Sequence, residues 1–223
     1  MIEVPGFTQR IERWPADADA APPRLLQQID DAAAGPPARQ LLLRERMRNH
    51  ARLLQALQGL PGVPRLLHRD DEAGLLVLER PAGDWLPAWG DRLRQDLRWP
   101  LRFALALVDA LEAMHGAGVL HGRLAPARLH FAAGDRVAVD GPTGVRAAGE
   151  PDRVTLVDLG QAVMQPSMAA PFRPAGAPDH LSPYSAPEQT GRSGREVDYR
   201  ADFHAAGAIL FWAASGTPPS VER

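Results

Sequence analysis

The segments PYSAPEQTG, residues 183–191, and VDYRADFHAAG, residues 197–207, form the most specific pattern in the chain. The first segment holds two prolines and several small polar residues, which is typical of a loop. From Asp202 to Trp212 the sequence is apolar at most positions, and this favours a helix buried nearly all round. Asp202 occupies the place expected of a helix N-cap. The pattern therefore predicts a loop that leads directly into a central buried helix.

Two shorter motifs precede this block, and each follows a regular element. The motif HGRLAPARL, residues 121–129, comes after a helix predicted over 101–115. The motif VDLG, residues 157–160, ends a strand predicted over 154–157. The helix is predicted to bury one apolar stripe: Leu101, Ala104, Leu105, Val108 and Leu111.

The first eighty residues predict a smaller part that is rich in strands. Prolines exclude long helices before residue 38, and the pair Leu25-Leu26 favours a strand. The run LLVLE, residues 75–79, favours a buried strand, and the connector 81–90 marks the expected boundary between two lobes. A helix is predicted over 38–58 from a stripe of residues at three- and four-residue steps: Leu43, Met47, His50, Leu54 and Leu57.

The composition excludes several kinds of chemistry. All 25 basic residues are arginines, the chain has neither lysine nor cysteine, and Asn49 is its only asparagine. The absence of lysine excludes a Walker-A phosphate loop and a Schiff-base lysine, and the absence of cysteine excludes disulfides and thiolate metal sites. A net charge of −2 gives no argument for binding nucleic acid or an anionic membrane, and the longest apolar run, 205–214, is too short to predict membrane insertion. With no visible signal peptide, we expect a cytoplasmic chain.

In this order, the motifs resemble those of the eukaryotic-type protein kinase superfamily. The likeness is closest to the N-terminal kinase-like domain of large bacterial proteins that also carry an ATPase domain and a sensor histidine kinase domain. The resemblance implies an α+β, two-lobed fold, with a small β-rich N-lobe over 1–79 and a mainly helical C-lobe over 80–223 that ends after the central helix. Glu188 matches the glutamate of the A-P-E motif, whose usual arginine partner would lie beyond Arg223. From this resemblance we expect the chain to be either a fragment or a shortened form.

The motif HGRLAPARL resembles the catalytic loop H-R-D-L-K-P-x-N, which places His121, Arg123, Ala125 and Arg128 at degenerate catalytic positions. Arg123 replaces the base, and a guanidinium has no acceptor for a proton. Loss of a positioned base typically costs about 10²–10⁴ in rate. Arg128 replaces the metal-binding asparagine, and a guanidinium about 4 Å from Mg²⁺ is repelled by about 8 kcal/mol at a dielectric of 20. Ala125 replaces the lysine of the loop.

The motif VDLG resembles D-F-G and makes Asp158 the remaining residue of catalytic type. The resemblance implies two interpretations for its carboxylate. It binds metal and nucleotide, together with Leu78 and Glu79 at the predicted hinge, or it forms an ion pair with Arg123 or Arg128. We favour the ion pair.

Other positions are predicted to be structural. The segment 14–19, expected at the Gly-rich phosphate loop, contains no glycine. His50 occupies the place of the glutamate that clamps the phosphate-binding lysine, and we interpret it as a partly buried structural histidine. Leu54 and Leu159 are expected to stack with His121. Asp202 is expected to accept backbone N–H groups of the catalytic loop.

These positions predict a catalytically inactive, kinase-like signalling module, a pseudokinase of bacterial type that acts through a protein partner or through further domains. No cofactor is expected, and Mg²⁺ is disfavoured. Three alternatives stay open. The first is an atypical Ser/Thr kinase that binds ATP through arginines, and the second is non-catalytic ATP binding as a switch. The third is a small-molecule phosphotransferase, a class with an H-G-D-L loop but without the A-P-E segment.

Overall fold

The computed structural model describes residues 2–4, 7–15, 22–30, 35–135, 150–164, 182–190 and 195–220. Its N-terminal part is a five-stranded antiparallel sheet with spatial order β1-β2-β3-β5-β4. The strands are β1 Ile2–Val4, β2 Phe7–Arg13, β3 Pro23–Ile29, β4 Leu66–Asp70 and β5 Leu75–Glu79. Helix α1, Pro37–Ala56, connects β3 to β4 along the chain.

The central strands of this sheet form where the sequence is continuously apolar. Leu25 pairs with Leu78 and Leu26 with Val77, and all four side chains are buried. The strand predicted at Leu25-Leu26 is therefore confirmed. Strand β2 escaped prediction because its buried position carries the polar Gln9, which is 2% exposed, so the residues of this strand do not alternate between apolar and polar.

Helix α1 forms as the sequence predicts. Its first residue is Pro37, which suits this place because a first-turn residue needs no N–H donor. The predicted stripe faces the interior, with His50 only 3% exposed. The buried residues of the stripe are Leu43, Met47, His50, Leu54 and, just beyond the helix, Leu57.

Two small sheets, three α-helices and three short 3-10 helices are the regular elements in the rest of the described chain. The helices are α2 Gly90–Gln95, α3 Arg98–Gly116 and α4 Arg200–Ser215. One sheet has the order β6-β8-β9 and the other pairs β7 with β10. These strands are β6 Asp84–Trp85, β7 Val119–Leu120, β8 Leu129–Ala132, β9 Arg153–Leu156 and β10 Val163–Met164. The architecture is α+β, as predicted.

The predicted buried face of helix α3 is wrong. Leu101, Leu105 and Val108 are 64%, 69% and 51% exposed. The helix carries apolar residues on two faces, and contacts with β9 and α4 decide which one is buried. The buried face consists of Phe103, Ala106, Leu107, Ala110, Leu111 and Met114.

Helix α4 also departs from its prediction. It begins at Arg200, two residues before the expected cap, and the Asp198 carboxylate accepts the Arg200 N–H at 2.9 Å. The buried Asp202 is therefore not the N-cap. Phe203 and Phe211 are 49% and 53% exposed, so one face of the helix is open rather than covered.

One hydrophobic core runs from the sheet into the helices. It includes Leu54 and Leu78 from the first part of the chain and Leu107, Leu159 and Ile209 from the second. The lobe boundary after residue 79 stays a prediction. Among the described residues, no helix combines the length and the apolar character needed to cross a bilayer.

Candidate functional site

Asp202 fixes the loop 121–128 from beneath. Its carboxylate, 1% exposed, accepts the N–H of His121 at 2.9 Å and that of Gly122 at 2.7 Å. His115 Nε2 lies 2.9 Å from the same carboxylate. Hydrogen bonds to an ionised acceptor are stronger than neutral ones, so these contacts hold the loop firmly. The predicted interaction of Asp202 with the loop backbone is confirmed.

His121 shapes the next step of the loop. Its side chain is 1% exposed, and its Nδ1 accepts the N–H of Arg123 at 3.2 Å. Burial lowers the pKa of His121 to about 4, although the charge of Asp202 opposes this shift. The ring is therefore neutral at pH 7, as its role as an acceptor requires.

Arg128 and Asp158 form a nearly buried ion pair. The Val157 N–H donates to the Arg128 carbonyl at 3.1 Å, which brings the two motifs side by side. Arg128 Nη1 then lies 2.7 Å from Asp158 Oδ2, and the two side chains are 12% and 13% exposed. The ion pair expected of Asp158 is confirmed, and its partner is Arg128.

The second oxygen of Asp158 is also engaged. Asp158 Oδ1 accepts the Gly160 N–H at 3.0 Å and lies 3.7 Å from His50 Nδ1. Burial by itself would raise the pKa of Asp158, but the charge of Arg128 and the hydrogen bond from the Gly160 N–H hold that pKa well below its usual range. The carboxylate is therefore ionised, with both oxygens bonded inside the protein.

Helix α1 is fastened to the segment 158–162 by two adjacent side chains. His50 Nδ1 accepts the Leu159 N–H at 3.0 Å. The Asn49 amide donates to the carbonyls of Gly160 at 3.3 Å and Ala162 at 2.9 Å. His50 is thus more deeply buried than predicted and contacts the VDLG motif directly. Leu159 belongs to the same core as Leu54.

Comparison with known proteins finds sequence similarity to serine/threonine-protein kinases. No protein-family model matches the chain. Curated relatives include the serine/threonine-protein kinase pkn3 of Myxococcus xanthus, 29% identical over 162 residues, and the serine/threonine-protein kinase PKH2 of Saccharomyces cerevisiae, 26% identical over 172 residues. The serine/threonine-protein kinase AfsK of Streptomyces coelicolor is 27% identical over 129 residues. These matches cover 67%, 74% and 56% of this chain, which spans 25%, 15% and 13% of the relatives.

The chain is protein-kinase-like. Matches to three Ser/Thr kinases, at 26–29% identity over 56–74% of the chain, support this relationship, and the small antiparallel sheet followed by helices is consistent with it. The chain spans a quarter or less of the length of these relatives.

Two glutamines beside Asp158 were missed by sequence reasoning. Protein kinases carry their phosphate-binding lysine on the third strand of the sheet. In this chain the buried polar residue of β3 is Gln27, whose Nε2 donates to the Val157 carbonyl at 2.6 Å. Gln9 pairs with Gln27 across the strands, and its Oε1 is buried without a partner among the described atoms. No signal in the sequence marks either glutamine, because the burial of Gln9 is evident only once Gln27 lies opposite it.

These groups surround a very small cavity. Its volume is about 10 Å³, counted as the space that the centre of a water molecule can occupy. The residues that line it include Gln9, Gln27, Arg46, His50 and Asp158. That space suits no more than one water.

The predicted hinge residues make internal contacts. Leu78 is fully buried and pairs with Leu25 on one side and Leu66 on the other. The Glu79 N–H donates to the Arg65 carbonyl at 2.8 Å, and the Glu79 carboxylate lies 3.5 Å from the Arg65 guanidinium. The nucleotide-binding role of these residues stays a prediction.

The remaining predicted positions lie at a second opening. Arg123, Ala125 and Arg128 line a cavity of about 60 Å³, together with residues of the segment 182–190. Glu188 lies in the short 3-10 helix Pro187–Thr190 and is partly exposed. The segment 16–21, which includes most of the expected phosphate loop, lies outside the described residues.

The residues present do not fit a magnesium-bound nucleotide. Protein kinases hold Mg²⁺ with the D-F-G aspartate and the catalytic-loop asparagine. Here Asp158 is bonded to Arg128, the residue predicted to stand in place of the asparagine, and the space beside Asp158 admits one water. Within the described ranges, no group of three or more histidine or carboxylate side chains is arranged to hold a metal ion.

Proposed function

We propose that this protein-kinase-like chain is a pseudokinase, a module that does not transfer phosphate. The ion pair between Arg128 and Asp158 is the observation that carries this proposal. For Mg²⁺ to bind Asp158, it would have to displace a guanidinium from a nearly buried carboxylate and then remain beside that cation. The repulsion between Mg²⁺ and the guanidinium at about 4 Å amounts to about 8 kcal/mol at a dielectric of 20.

Two further replacements support the proposal independently of the metal site. Arg123 stands in the place of the catalytic base, and a guanidinium cannot accept the proton of a substrate hydroxyl. Gln27 is the buried polar residue of the strand that carries the lysine in active kinases, and a neutral amide cannot stabilise the charge of a phosphate as an ammonium does. Restoring only the metal ligand, only the base or only the lysine would therefore not restore phosphate transfer.

A module of this kind would act by contact. We infer that it works in cytoplasmic signalling, by binding a protein partner or by regulating further domains of a longer bacterial protein. Two of the three relatives are bacterial Ser/Thr kinases several times longer than this chain, which supports a multidomain setting. The exposed apolar residues of helix α3, Leu101 and Leu105, offer surface for such contacts.

A transfer assay tests the proposal. The protein is incubated with radiolabelled ATP, with Mg²⁺ or Mn²⁺, and with a general Ser/Thr substrate, beside an Asp158→Ala variant purified in the same way. We expect no label on the substrate or on the chain itself. Label that appears equally with both proteins marks a contaminating kinase. Mg²⁺-dependent label that disappears in Asp158→Ala would overturn the proposal in favour of an atypical kinase with arginine ligands.

Thermal unfolding tests whether the protein binds a nucleotide, independently of whether it transfers phosphate. A ligand at one hundred times its Kd stabilises the folded protein by about 2.7 kcal/mol. We expect ATP to leave the unfolding temperature unchanged, with or without Mg²⁺. Stabilisation by ATP that is the same without the metal would show a nucleotide-binding switch instead, and stabilisation that requires Mg²⁺ would contradict the closed metal site.

A further inference from the structure

Helix α3 carries an exposed apolar stripe on the face that points away from the core. Its members are Leu101, Leu105 and Val108, together with Leu97, which directly precedes the helix and is 76% exposed. None of the four belongs to the hydrophobic core of the described residues, which the opposite face of the helix already supplies. A contiguous apolar patch that the fold leaves in solvent marks an interaction surface.

Charged residues of opposite sign lie at the two ends of this stripe. Arg98 and Glu112 are each seven residues from Leu105, which is about two helical turns or about 10 Å along the axis. At about 100° for each residue, both lie on the same side of the helix as Leu105. The Arg98 side chain is 84% exposed, and Glu112 is exposed as well. The stripe therefore has a basic beginning and an acidic end.

The contacts of these end residues leave them able to bind a further group. Arg98 donates from Nε and Nη2 to the Asp96 carboxylate, at 2.7 and 2.6 Å. A guanidinium has five N–H donors, so Nη1 can reach a second carboxylate. Within the described ranges, no cation forms an ion pair with Glu112. The acidic end is thus without a partner in the described part of the chain.

We propose that the stripe binds a second copy of the same chain, with the two α3 helices antiparallel about a two-fold axis at Leu105. Two-fold symmetry brings the same patch of both copies together and so requires a self-complementary surface. In this arrangement Leu105 meets its counterpart, and Leu101 lies near Val108 of the second copy. Arg98 lies opposite Glu112 of the second copy, and this contact forms twice.

Charge selects this arrangement over the parallel one. Two parallel helices in the same register would place Glu112 beside its own counterpart, and like charges brought together at an interface oppose binding. The proposal goes beyond the proposed function. It does not depend on whether the chain transfers phosphate, because the readout is self-association alone.

Sedimentation velocity of the whole chain tests the proposal. One helix from each copy buries less than the area of about 1,600 Å² that is standard for stable interfaces, so we expect a dissociation constant of about 1–100 µM. Over this range of concentration, the sedimenting mass should increase from that of the monomer toward twice that value. A chain that stays monomeric throughout overturns the proposal and leaves the stripe to a different protein or to a further segment of a longer chain.

A substitution at the axis locates the interface. Leu105→Glu places two carboxylates opposite each other and is expected to weaken self-association at least about tenfold. Leu41→Glu is the matched control, because Leu41 is 66% exposed on helix α1, outside the stripe. It should leave the dissociation constant unchanged, and circular dichroism checks that both variants fold. Equal dissociation constants for the two variants would overturn the assignment.

Reversal of the two end charges tests the antiparallel register. Arg98→Glu and Glu112→Arg each set like charges opposite one another, and each is expected to weaken self-association at least about threefold. Both changes suit the helix dipole, so the variants should fold. The double variant restores opposite charges and is expected to return to within about twofold of the original affinity. A double variant that associates no better than the single variants would overturn the register.

Discussion

Removing the cation of the ion pair between Arg128 and Asp158 should destabilise the protein strongly. In Arg128→Ala the Asp158 carboxylate, 13% exposed, keeps its bond from the Gly160 N–H but loses the guanidinium at 2.7 Å. Breaking a buried pair from one side typically costs about 3–5 kcal/mol. Because one backbone bond remains, we expect a loss near the lower end, about 3 kcal/mol, against a total of about 5–15 kcal/mol for a folded domain.

Urea unfolding at pH 7 measures this loss directly, and thermal unfolding provides a second measurement. For a chain of 150–250 residues, each kcal/mol changes the unfolding temperature by about 2–4 °C. A loss of about 3 kcal/mol therefore predicts a decrease of about 6–12 °C.

The dependence of this loss on pH identifies its cause. The pKa of Asp158 in the folded protein lies below the unfolded value of about 3.9. The pair therefore stabilises the protein above that unfolded value, and its contribution is lost as the pH falls toward the folded pKa. In Arg128→Ala, burial should raise the folded pKa of Asp158. The difference in unfolding free energy between the two proteins should be greatest at pH 7 and should narrow toward pH 4.

Two comparisons make the test specific. Arg153→Ala removes a surface contact to Glu150, 3.9 Å long, with side chains 53% and 82% exposed. Surface pairs contribute about 0–1 kcal/mol, so this control should remain stable. The double variant Arg128→Ala/Asp158→Ala should be more stable than Arg128→Ala alone, because no buried charge is left without its partner. A loss below about 1 kcal/mol for Arg128→Ala that does not change between pH 7 and pH 4 would refute the reasoning.

Asn49→Ala removes two hydrogen bonds to the segment 160–162 and should cost about 1–3 kcal/mol, at about 0.5–1.5 kcal/mol for each neutral bond. Amide hydrogen exchange should become faster in that segment. Unchanged exchange would show that the Asn49 hydrogen bonds do not stabilise the segment. Gly83→Ala would place a Cβ on the Phe131 carbonyl and should cost more than 2 kcal/mol in urea unfolding, or prevent soluble expression. Gly59→Ala has a similar positive φ but no neighbour within 4 Å, so it should cost only about 1–2 kcal/mol; equal losses would contradict the steric argument.

Much of the fold was predictable because its signals are local. The stripe of helix α1 repeats at helical spacing over twenty residues, and the sheet forms its central strands where leucine and valine run continuously. The motifs HGRLAPARL and VDLG follow a helix and a strand, respectively, as predicted. Local patterns of this kind need no knowledge of which parts of the chain meet.

The predictions were wrong or missing where the sequence is compatible with two structures. Helix α3 has apolar residues on two faces, and only its packing decides that Leu107 is buried and Leu105 exposed. Strand β2 has a buried glutamine, which reads as a polar loop residue until Gln27 is placed opposite it. Asp202 looks like a helix cap because it precedes an apolar run, yet the helix starts two residues earlier.

The absence of a lysine, a catalytic base and a metal-binding asparagine from the site follows from the sequence alone. A chain without lysine cannot clamp a phosphate with an ammonium, and arginine at positions 123 and 128 cannot act as a base or hold a metal ion. The roles of the arginines and glutamines that are present depend on which distant parts of the chain meet. Arg128 rather than Arg123 reaches Asp158, and Gln27 bonds Val157, which is 130 residues away along the chain. Composition limits which chemical groups are available. Contacts between residues far apart in sequence depend on the folded path of the backbone.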